Sequence, residues 1–221
     1  MKFKAVLFDL DGTLLNTTEG VIESAIYAAD ILGFEELPAE TMLRFVGPPI
    51  QDSFMEWYGC SPEVAQKAAD VFRTYYKKRA LYKASLYPGI LELLQVLKAR
   101  DIKIGVATYK REDYAVSILE HFGIAPFCQS MHGADNFNRL TKADIIKYCI
   151  RELSFDKNEI VLVGDTAYDA KGAKEAGIPF LGVTYGFGFH HCQEFGGYPC
   201  IGYADNVPEI LTIMENESQS F

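Results

Sequence analysis

Two aspartates at the end of the first apolar run carry the clearest chemical signal in this chain. Asp9 and Asp11 follow residues 6–8, a short apolar run of the kind that forms a strand buried on both faces. Side chains at positions i and i+2 of an extended backbone point the same way, so the two carboxylates would repel each other unless a cation lay between them. The pair therefore predicts a divalent-metal site at the end of a strand.

Similar polar residues follow two later apolar runs. Thr108 ends one of them, Asp165 ends the other, and Asp169 comes one helical turn after Asp165. Lys142 lies between the two runs, at the predicted start of a helix. Because the carboxyl ends of parallel strands meet at one edge of a sheet, these side chains are expected to lie close to the first two aspartates.

The chemistry that this group of residues predicts is phosphoryl transfer. The carboxylates of Asp9 and Asp165 suit Mg²⁺. The Thr108 hydroxyl and the Lys142 ammonium suit phosphoryl oxygens. Asp9 could attack phosphorus to form an aspartyl phosphate, and Asp11 could protonate the leaving alcohol and then deprotonate a water. Each residue alone is also typical of a turn or a helix start, and it is their joint occurrence in this order that favours function.

The hydrophobic patterns that must position these residues change character near residue 87. Helices are predicted over 90–99, 111–121, 141–153 and 167–176, and strands over 102–107, 128–131, 160–163 and 180–184. Residues 16–84 contain helical patterns only. The alternation predicts an α/β fold, a Rossmann-like parallel sheet, with a catalytic core from 1–15 and 85–221 and an all-helical cap domain from 16–84 inserted after the first strand. The cap would lie over the strand ends as a lid.

The inserted segment has its own start and stop signals. Asn16 and Glu19 have the spacing of a capping box for a helix that ends at Gly33. Shorter helices are predicted over 38–45 and 49–58. Ser61 is the predicted N-cap of a helix that runs from residue 62 to about residue 81.

Composition and charge exclude several classes of protein. With 221 residues, of which 49% are hydrophobic and 23% charged, the chain is typical of a globular protein. The formal charge of -9 disfavours binding to nucleic acid or to an anionic membrane. The five cysteines form no CxxC pair, and no apolar run approaches ~20 residues, so we expect a cytoplasmic protein with free thiols. The expected partner is a small phosphorylated metabolite, and the expected state is a monomer or homodimer.

The polar residues named above resemble the motifs of the haloacid dehalogenase superfamily of aspartate-nucleophile phosphatases. The matching positions are residues 9–13 (DLDGT), Thr108, Lys142, and Gly164-Asp165 with Asp169. The resemblance implies that Asp9 is the nucleophile and Asp11 the acid/base, and that Thr108 and Lys142 bind phosphate. It also implies Mg²⁺ held by Asp9, Asp165 and the main-chain oxygen of Asp11, with Asp169 as a direct ligand or a carboxylate behind the ligands. The inserted helices resemble the small cap of the phosphoglycolate phosphatase-like group.

Three alternatives follow from the same residues. Dehalogenases of the superfamily lack the second aspartate, so Asp11 argues against that chemistry. Phosphomutases of the β-phosphoglucomutase type keep it and stay an alternative. Asn16 departs from the phosphoglycolate phosphatase-like pattern, which often has aspartate there. A phosphorylation-responsive signalling module also collects Asp, Thr and Lys at strand ends, but the chain length and the inserted cap count against it.

Substrate specificity is expected from the cap, because the motif residues contact only the phosphoryl group. The predicted substrate contacts are Gly12, Arg44, Tyr109 and Lys110. Arg44 begins a loop over residues 44–49 that is similar to the cap loop of the group, and it could bind a substrate carboxylate. That contact would favour phosphoglycolate, whereas the aromatic cap residues Trp57, Tyr58, Tyr75 and Tyr76 would favour a nucleoside 5′-monophosphate.

A second set of possible metal ligands lies in a Gly-rich segment near the C-terminus. It comprises His190, His191, Cys192 and Cys200. The spacing is poor for a four-ligand zinc site, so zinc is not predicted. Residues 215–221 are expected to form a frayed tail.

Overall fold

The computed structural model describes residues 2–191, 194 and 197–217. The strands are β1 (Ala5–Phe8), β2 (Leu15–Asn16), β3 (Ser85–Leu86), β4 (Lys103–Arg111), β5 (Cys128–Ala134), β6 (Ile160–Gly164), β7 (Phe180–Val183) and β8 (Gly202–Ala204). The α-helices are α1 (Thr18–Leu32), α2 (Ala39–Leu43), α3 (Ile50–Tyr58), α4 (Pro62–Tyr75), α5 (Ile90–Ala99), α6 (Glu112–His121), α7 (Lys142–Leu153), α8 (Ala167–Ala176) and α9 (Val207–Asn216). A π-helical turn, Tyr76–Ala80, continues α4. None of the described helices has the length and apolarity that a membrane span requires.

The central feature of the fold is a six-stranded parallel sheet in the order β5-β4-β1-β6-β7-β8. All four residues of β1 are buried, as expected for an apolar strand covered on both faces. Its last residue, Phe8, pairs with Val106 of β4 on one side and with Val163 of β6 on the other. The residues that follow these three strands therefore share one edge of the sheet. The predicted parallel α/β fold is confirmed.

Helices α1 to α4 are inserted between two short strands, β2 and β3, which pair with each other in an antiparallel ribbon. Ser61 caps α4 as predicted, since its hydroxyl accepts a hydrogen bond from the Val64 main-chain nitrogen. The predicted capping box at Asn16 is wrong, because this residue pairs with Ser85 in the ribbon. Helix α1 begins instead at Thr18. Because Asn16 belongs to β2, the segment 16–84 is not strand-free. The division into a core and a cap domain stays a prediction.

Strand β4 differs most from its predicted course. It was expected to end at Ala107 but continues to Arg111, with a register shift against β5 between these two residues. The shift places three residues of β4 (108–110) opposite one of β5 (Gly133), which is the effect of a bulge. The bulge projects Thr108, Tyr109 and Lys110 at the functional edge of the sheet.

The predicted start of α7 after Thr141 and the predicted end of α8 at Gly177 are confirmed. Thr141 and Asp144 form a capping box at the start of α7, and Gly177 ends α8 with a φ of 77°. Strand β8 and helix α9 carried no sequence prediction. Helix α9 starts at an Asn206 cap, and β8 pairs with β7 to extend the sheet. The described cysteines, which are Cys60, Cys128, Cys149 and Cys200, are free thiols as expected.

Candidate active site

Three buried carboxylates meet at the shared edge of the sheet. Oxygens of Asp9, Asp165 and Asp169 lie within 4.8 Å of one another. The Lys142 ammonium lies 2.6 Å from Asp9 Oδ1 and 2.6 Å from Asp169 Oδ1. The structure thus brings together four of the predicted site residues, with one buried cation among three carboxylates.

Lys142 is held in place by three local features. It is the first residue of α7, directly after the Thr141 cap. Its main-chain nitrogen donates a hydrogen bond of 2.9 Å to the Tyr109 hydroxyl. Its side chain passes over Gly172 of α8, where a Cβ atom would lie only 2.6 Å from Lys142 Cγ. Tyr109, a predicted substrate contact, therefore also positions the lysine that bonds Asp9.

The two carboxylate oxygens of Asp169 have different partners: one caps its own helix, and the other contacts the Lys142 ammonium. Oδ2 accepts hydrogen bonds from the main-chain nitrogen and the hydroxyl of Thr166, at 3.0 and 2.6 Å, and closes the capping box of α8. Oδ1 faces Lys142. Gly164 makes room for this arrangement, because a Cβ there would lie 2.5 Å from Asp169 Cβ.

Asp165 is enclosed by a loop that sequence reasoning missed. Its Oδ2 accepts hydrogen bonds from the main-chain nitrogens of Phe187 and Gly188, at 2.6 and 3.3 Å. Gly12 lies on the opposite side with a φ of 86°, and a Cβ there would lie 2.2 Å from Asp165 Oδ2. Gly12, a predicted substrate contact, thus gives space to Asp165. The only sequence signal for the loop is its spaced glycines, since main-chain donors leave no trace in residue type.

The side chain of Asp11 lies outside the group of three carboxylates. Its Oδ1 is 3.0 Å from Lys110 Nζ and accepts a 2.5 Å hydrogen bond from the Thr17 hydroxyl. Lys110 Nζ also lies 4.8 Å from the ring centroid of Tyr76. The buried Thr108 hydroxyl accepts a hydrogen bond from the main-chain nitrogen of Lys110 at 3.1 Å. Lys110, a predicted substrate contact, is therefore the buried partner of Asp11.

The charges of this site do not balance. Burial raises the pKa of Asp9 to about 7, an effect that Lys142 opposes and that Asp169 and Asp11 reinforce. Burial and the neighbouring carboxylates of Asp169 and Asp9 raise the pKa of Asp165 well above its usual range. Burial alone would lower the pKa of Lys142, but Asp169 and Asp9 outweigh it, so the lysine stays charged. Three buried carboxylates opposite one ammonium are a donor set that fits a divalent cation with oxygen ligands.

The stability of the chelator-treated protein should depend on this excess charge. The pKa of Asp9 rises from its ordinary 3.8 to about 7 on folding, so the folded state binds the proton more tightly than the unfolded state. This contribution to stability is complete below about pH 4 and is lost as the pH rises through about 7. The asparagine of the Asp9→Asn variant cannot titrate. We expect the melting temperature of Asp9→Asn minus that of wild type to increase by about 3 °C or more as the pH rises from 5 to 8 in EDTA.

Thermal unfolding of both proteins across that pH range measures the difference. Excess Mg²⁺ should shrink it, because a bound cation offsets the repulsion that the asparagine removes. A melting-temperature difference that stays constant or moves toward wild type with rising pH would contradict this electrostatic account.

A cavity separates the inserted helices from the strand ends. The inserted segment contributes Phe45, Gly47, Pro48, Pro49, Ile50, Gln51, Phe72, Arg73 and Tyr76, and the sheet edge contributes Asp11, Tyr109, Lys110 and Arg111 among others. Arg44 is not among the lining residues. It is exposed, with its guanidinium carbon 5.4 Å from the ring centroid of Trp57. Of the four predicted cap aromatics, Tyr76 alone lines the cavity.

Two arginines that the sequence did not single out line this cavity instead. Arg73 lies in α4 among charged neighbours and has the pattern of a solvated helix residue, yet it is buried. Arg111 follows the bulge of β4. Neither has a motif around it, so only the packing of the inserted helices against the sheet identifies them.

The C-terminal set of possible ligands does not form a metal site in the part of the chain that the structure describes. Cys192 lies outside the described residues. Among the described ones, the carboxylates of Asp9, Asp165 and Asp169 form the one cluster of at least three potential ligands. The structure adds nothing in favour of zinc at His190, His191 or Cys200.

Comparison with known proteins gives concordant matches over almost the entire chain. The family model for haloacid dehalogenase-like hydrolases matches residues 6–183. A 5′-nucleotidase of Pseudomonas aeruginosa is 31% identical over 98% of this chain and 97% of its own length. A phosphoglycolate phosphatase of Vibrio parahaemolyticus is 26% identical over 96% of both chains. The crystal structure of a predicted phosphatase from Clostridium acetobutylicum superimposes with a TM-score of 0.90, at 34% identity, over 96% of this chain and 99% of that one.

Proposed function

This chain belongs to the haloacid dehalogenase-like hydrolase family and is a phosphatase, and we propose that it hydrolyses a small phosphate monoester with Mg²⁺ through an aspartyl phosphate on Asp9. The observation that carries the proposal is the buried cluster of Asp9, Asp165 and Asp169 around Lys142. Such a cluster is costly in a folded protein unless it binds a cation and a reacting anion. Residues 1–15 and 85–221 would form the catalytic core, and residues 16–84 would form its cap.

Asp9 is the proposed nucleophile because it is buried and, among the described residues, its side chain is hydrogen-bonded through Oδ1. Lys142 Nζ donates a 2.6 Å hydrogen bond to Asp9 Oδ1, which orients the carboxylate and favours its ionised form. The other oxygen would form the bond to phosphorus while the bond from phosphorus to the leaving oxygen breaks. Mg²⁺, held by Asp9 and Asp165 with Asp169 beside them, would supply positive charge against the phosphoryl oxygens. Lys142 and the Thr108 hydroxyl are the proposed phosphoryl contacts of the chain itself.

Asp11 is the proposed acid and base because its side chain lies outside the cluster of three carboxylates and lines the cavity. It would give a proton to the leaving oxygen as that oxygen departs. In the second half-reaction a water attacks phosphorus, Asp11 takes its proton, and the bond to Asp9 breaks to release phosphate. The ion pair with Lys110 would hold Asp11 at the cavity wall between the two steps.

Phosphoglycolate and nucleoside 5′-monophosphates are the proposed substrate types. Relatives named as a phosphoglycolate phosphatase and a 5′-nucleotidase support each of them. A cytoplasmic location and a monomer or homodimer belong to the same proposal.

The proposed function is tested by phosphate release from a panel of monoesters, measured with Mg²⁺ and with EDTA. We expect multiple turnovers of at least one small monoester with Mg²⁺, and a fall of at least about 10²-fold in EDTA. Exchange of phosphate between positions of a sugar phosphate without net release would instead support a phosphomutase. No turnover of any ester would overturn the proposal.

A further inference from the structure

Two guanidinium groups face the cavity that Asp11 lines, and no substrate group has been assigned to them. We propose that Arg73, together with Arg111, selects substrates that carry a second anionic group on the leaving-group side of the scissile phosphoryl group. This inference rests on the proposed phosphatase function and goes beyond it by naming the specificity residue and the charge that it recognises. The ligand chemistry is a compact carboxylate or a second phosphate.

Arg73 is a buried cation whose hydrogen bonds, among the residues that the structure describes, go to neutral acceptors. Its side chain donates to the main-chain oxygen of Asn136 at 2.8 Å and to Gln51 Oε1 at 3.2 Å. The nearest carboxylate, Asp70, is 3.8 Å away and largely solvated. That separation is too long for a hydrogen bond, so within the described part of the chain Arg73 has one distant, solvated counter-ion and none that is hydrogen-bonded to it. Burying such a charge is costly, and an anionic ligand would offset the cost.

Arg111 places a second guanidinium near Arg73, and this one is paired with Asp113. Its Nη1 donates a 3.1 Å hydrogen bond to Asn136 Oδ1, so both arginines converge on one asparagine. Its Nε and Nη2 bind the two oxygens of Asp113 at 2.5 and 2.6 Å, which fixes the orientation of the guanidinium. Burial lowers the pKa of Arg73, and the charge of Arg111 lowers it further. The charge of Arg111 therefore increases the preference of Arg73 for an anion.

The carboxylates that line the cavity are already engaged elsewhere. Asp11 is paired with Lys110. Asp135 accepts hydrogen bonds from the main-chain nitrogens of Phe137, Arg139 and Leu140, at 2.5, 3.1 and 3.1 Å. Asp135 thus serves to fold its own loop. The anion that would complete the arginine pair has to come with the substrate.

A surface groove leads to the same arginines. It shares Arg73, Arg111 and Tyr114 with the cavity and adds Lys77 and Lys78 from the π-helical turn, together with one carboxylate, Asp70. Because the chain as a whole carries a formal charge of -9, this cluster of cations is a local exception. It would attract anionic substrates toward the cavity.

The size of the cavity favours a compact leaving group. Its volume is about 60 Å³, far below the roughly 300 to 1,000 Å³ of typical sites for drug-sized ligands. A carboxymethyl or phosphate group is small enough to approach both Asp11 and Arg73 in this arrangement, whereas a nucleoside would require the inserted helices to move away. The geometry thus favours the anionic class over the nucleotide class.

The test compares four substrates that differ in the leaving group. The leaving group of phosphoglycolate carries a carboxylate, and that of pyrophosphate is a second phosphate. The leaving group of ethyl phosphate is small and neutral, and that of AMP is large and neutral. We expect wild type to prefer one of the first two by kcat/KM. Arg73→Met should lower kcat/KM for that substrate by about 10- to 100-fold, mainly through KM, and change it for ethyl phosphate by less than about 3-fold.

Turnover of ethyl phosphate, whose leaving group is neutral, also reports whether the variants fold. Arg73→Lys keeps the charge and should recover part of the loss. The matched control Arg151→Gln removes an exposed arginine of α7 that does not line the cavity, and it should leave the preference unchanged. Equal losses on phosphoglycolate, pyrophosphate and ethyl phosphate, or a wild-type preference for AMP or ethyl phosphate, would overturn the inference and leave the phosphatase standing. Failure of wild type on all four substrates would overturn both.

Discussion

Replacing Asp9 with asparagine should reduce multiple-turnover release of phosphate by at least about 10⁴-fold. The amide has nearly the same shape as the carboxylate but is a poor nucleophile, so the bond to phosphorus cannot form at a useful rate. The same change removes one negative charge from a cluster in which three carboxylates share one buried ammonium. The variant should therefore fold at least as well as wild type in EDTA, which separates a chemical defect from a structural one.

Two measurements on the Asp9→Asn protein decide this prediction. Steady-state phosphate release gives the loss of turnover, and mass spectrometry after acid quenching should detect one added phosphoryl group on wild type and none on the variant. Asp30→Asn is the matched control, because Asp30 is an exposed aspartate of α1 that does not belong to the carboxylate cluster. Residual turnover within about 10-fold of wild type would exclude Asp9 as the nucleophile.

Replacing Lys142 with methionine should affect both stability and turnover. The change removes the ammonium that lies 2.6 Å from Asp9 and 2.6 Å from Asp169, and it leaves their carboxylates without a bonded cation. Removing one partner of a buried ion pair typically costs about 3 to 5 kcal/mol of folding free energy. Turnover should also fall by about 10²- to 10³-fold, since a donor to the phosphoryl group is lost.

Chemical denaturation in EDTA and in excess Mg²⁺ measures the stability effect of Lys142→Met. We expect Mg²⁺ to recover part of the loss, because a divalent cation among the three carboxylates replaces the missing positive charge. Lys171→Met is the matched control, since Lys171 is exposed in α8 and its nearest carboxylate partner is 3.9 Å away. A Lys142→Met protein as stable as this control in EDTA would show that the carboxylates do not depend on the lysine.

The strands and helices that carry the site could be predicted from the sequence, because hydrophobic runs and capping residues depend on near neighbours in the chain. The apolar run before Asp9 predicts a buried central strand, and the capping residues Thr141 and Gly177 place the ends of α7 and α8. A side chain's hydrogen bond to a main-chain group three residues away depends on neighbouring residues only. The same logic failed at Asn16, where pairing with a strand nearly seventy residues later outweighed the capping signal.

The partners of the site residues depended on the tertiary structure. The sequence placed Lys110 near the phosphate, but the bulge in β4 places its ammonium against Asp11. It assigned the cap cation to Arg44, whereas packing of α4 on the sheet brings Arg73 to the cavity and leaves Arg44 on Trp57. No pattern over neighbouring residues records that an arginine such as Arg73, with charged residues around it in its helix, turns inward when the helix packs.

By itself, the sequence determined most of the helices and sheet strands up to residue 184 and the types of residue at the strand ends. These follow from hydrophobic period and capping chemistry, which act over a few residues. Only the tertiary structure decided that Asp165 is held by the main chain of a distant loop, and that Asp9 and Asp11 face different partners. Those contacts join residues about 20 to more than 130 positions apart, and they are set by the close packing of whole elements rather than by any residue type.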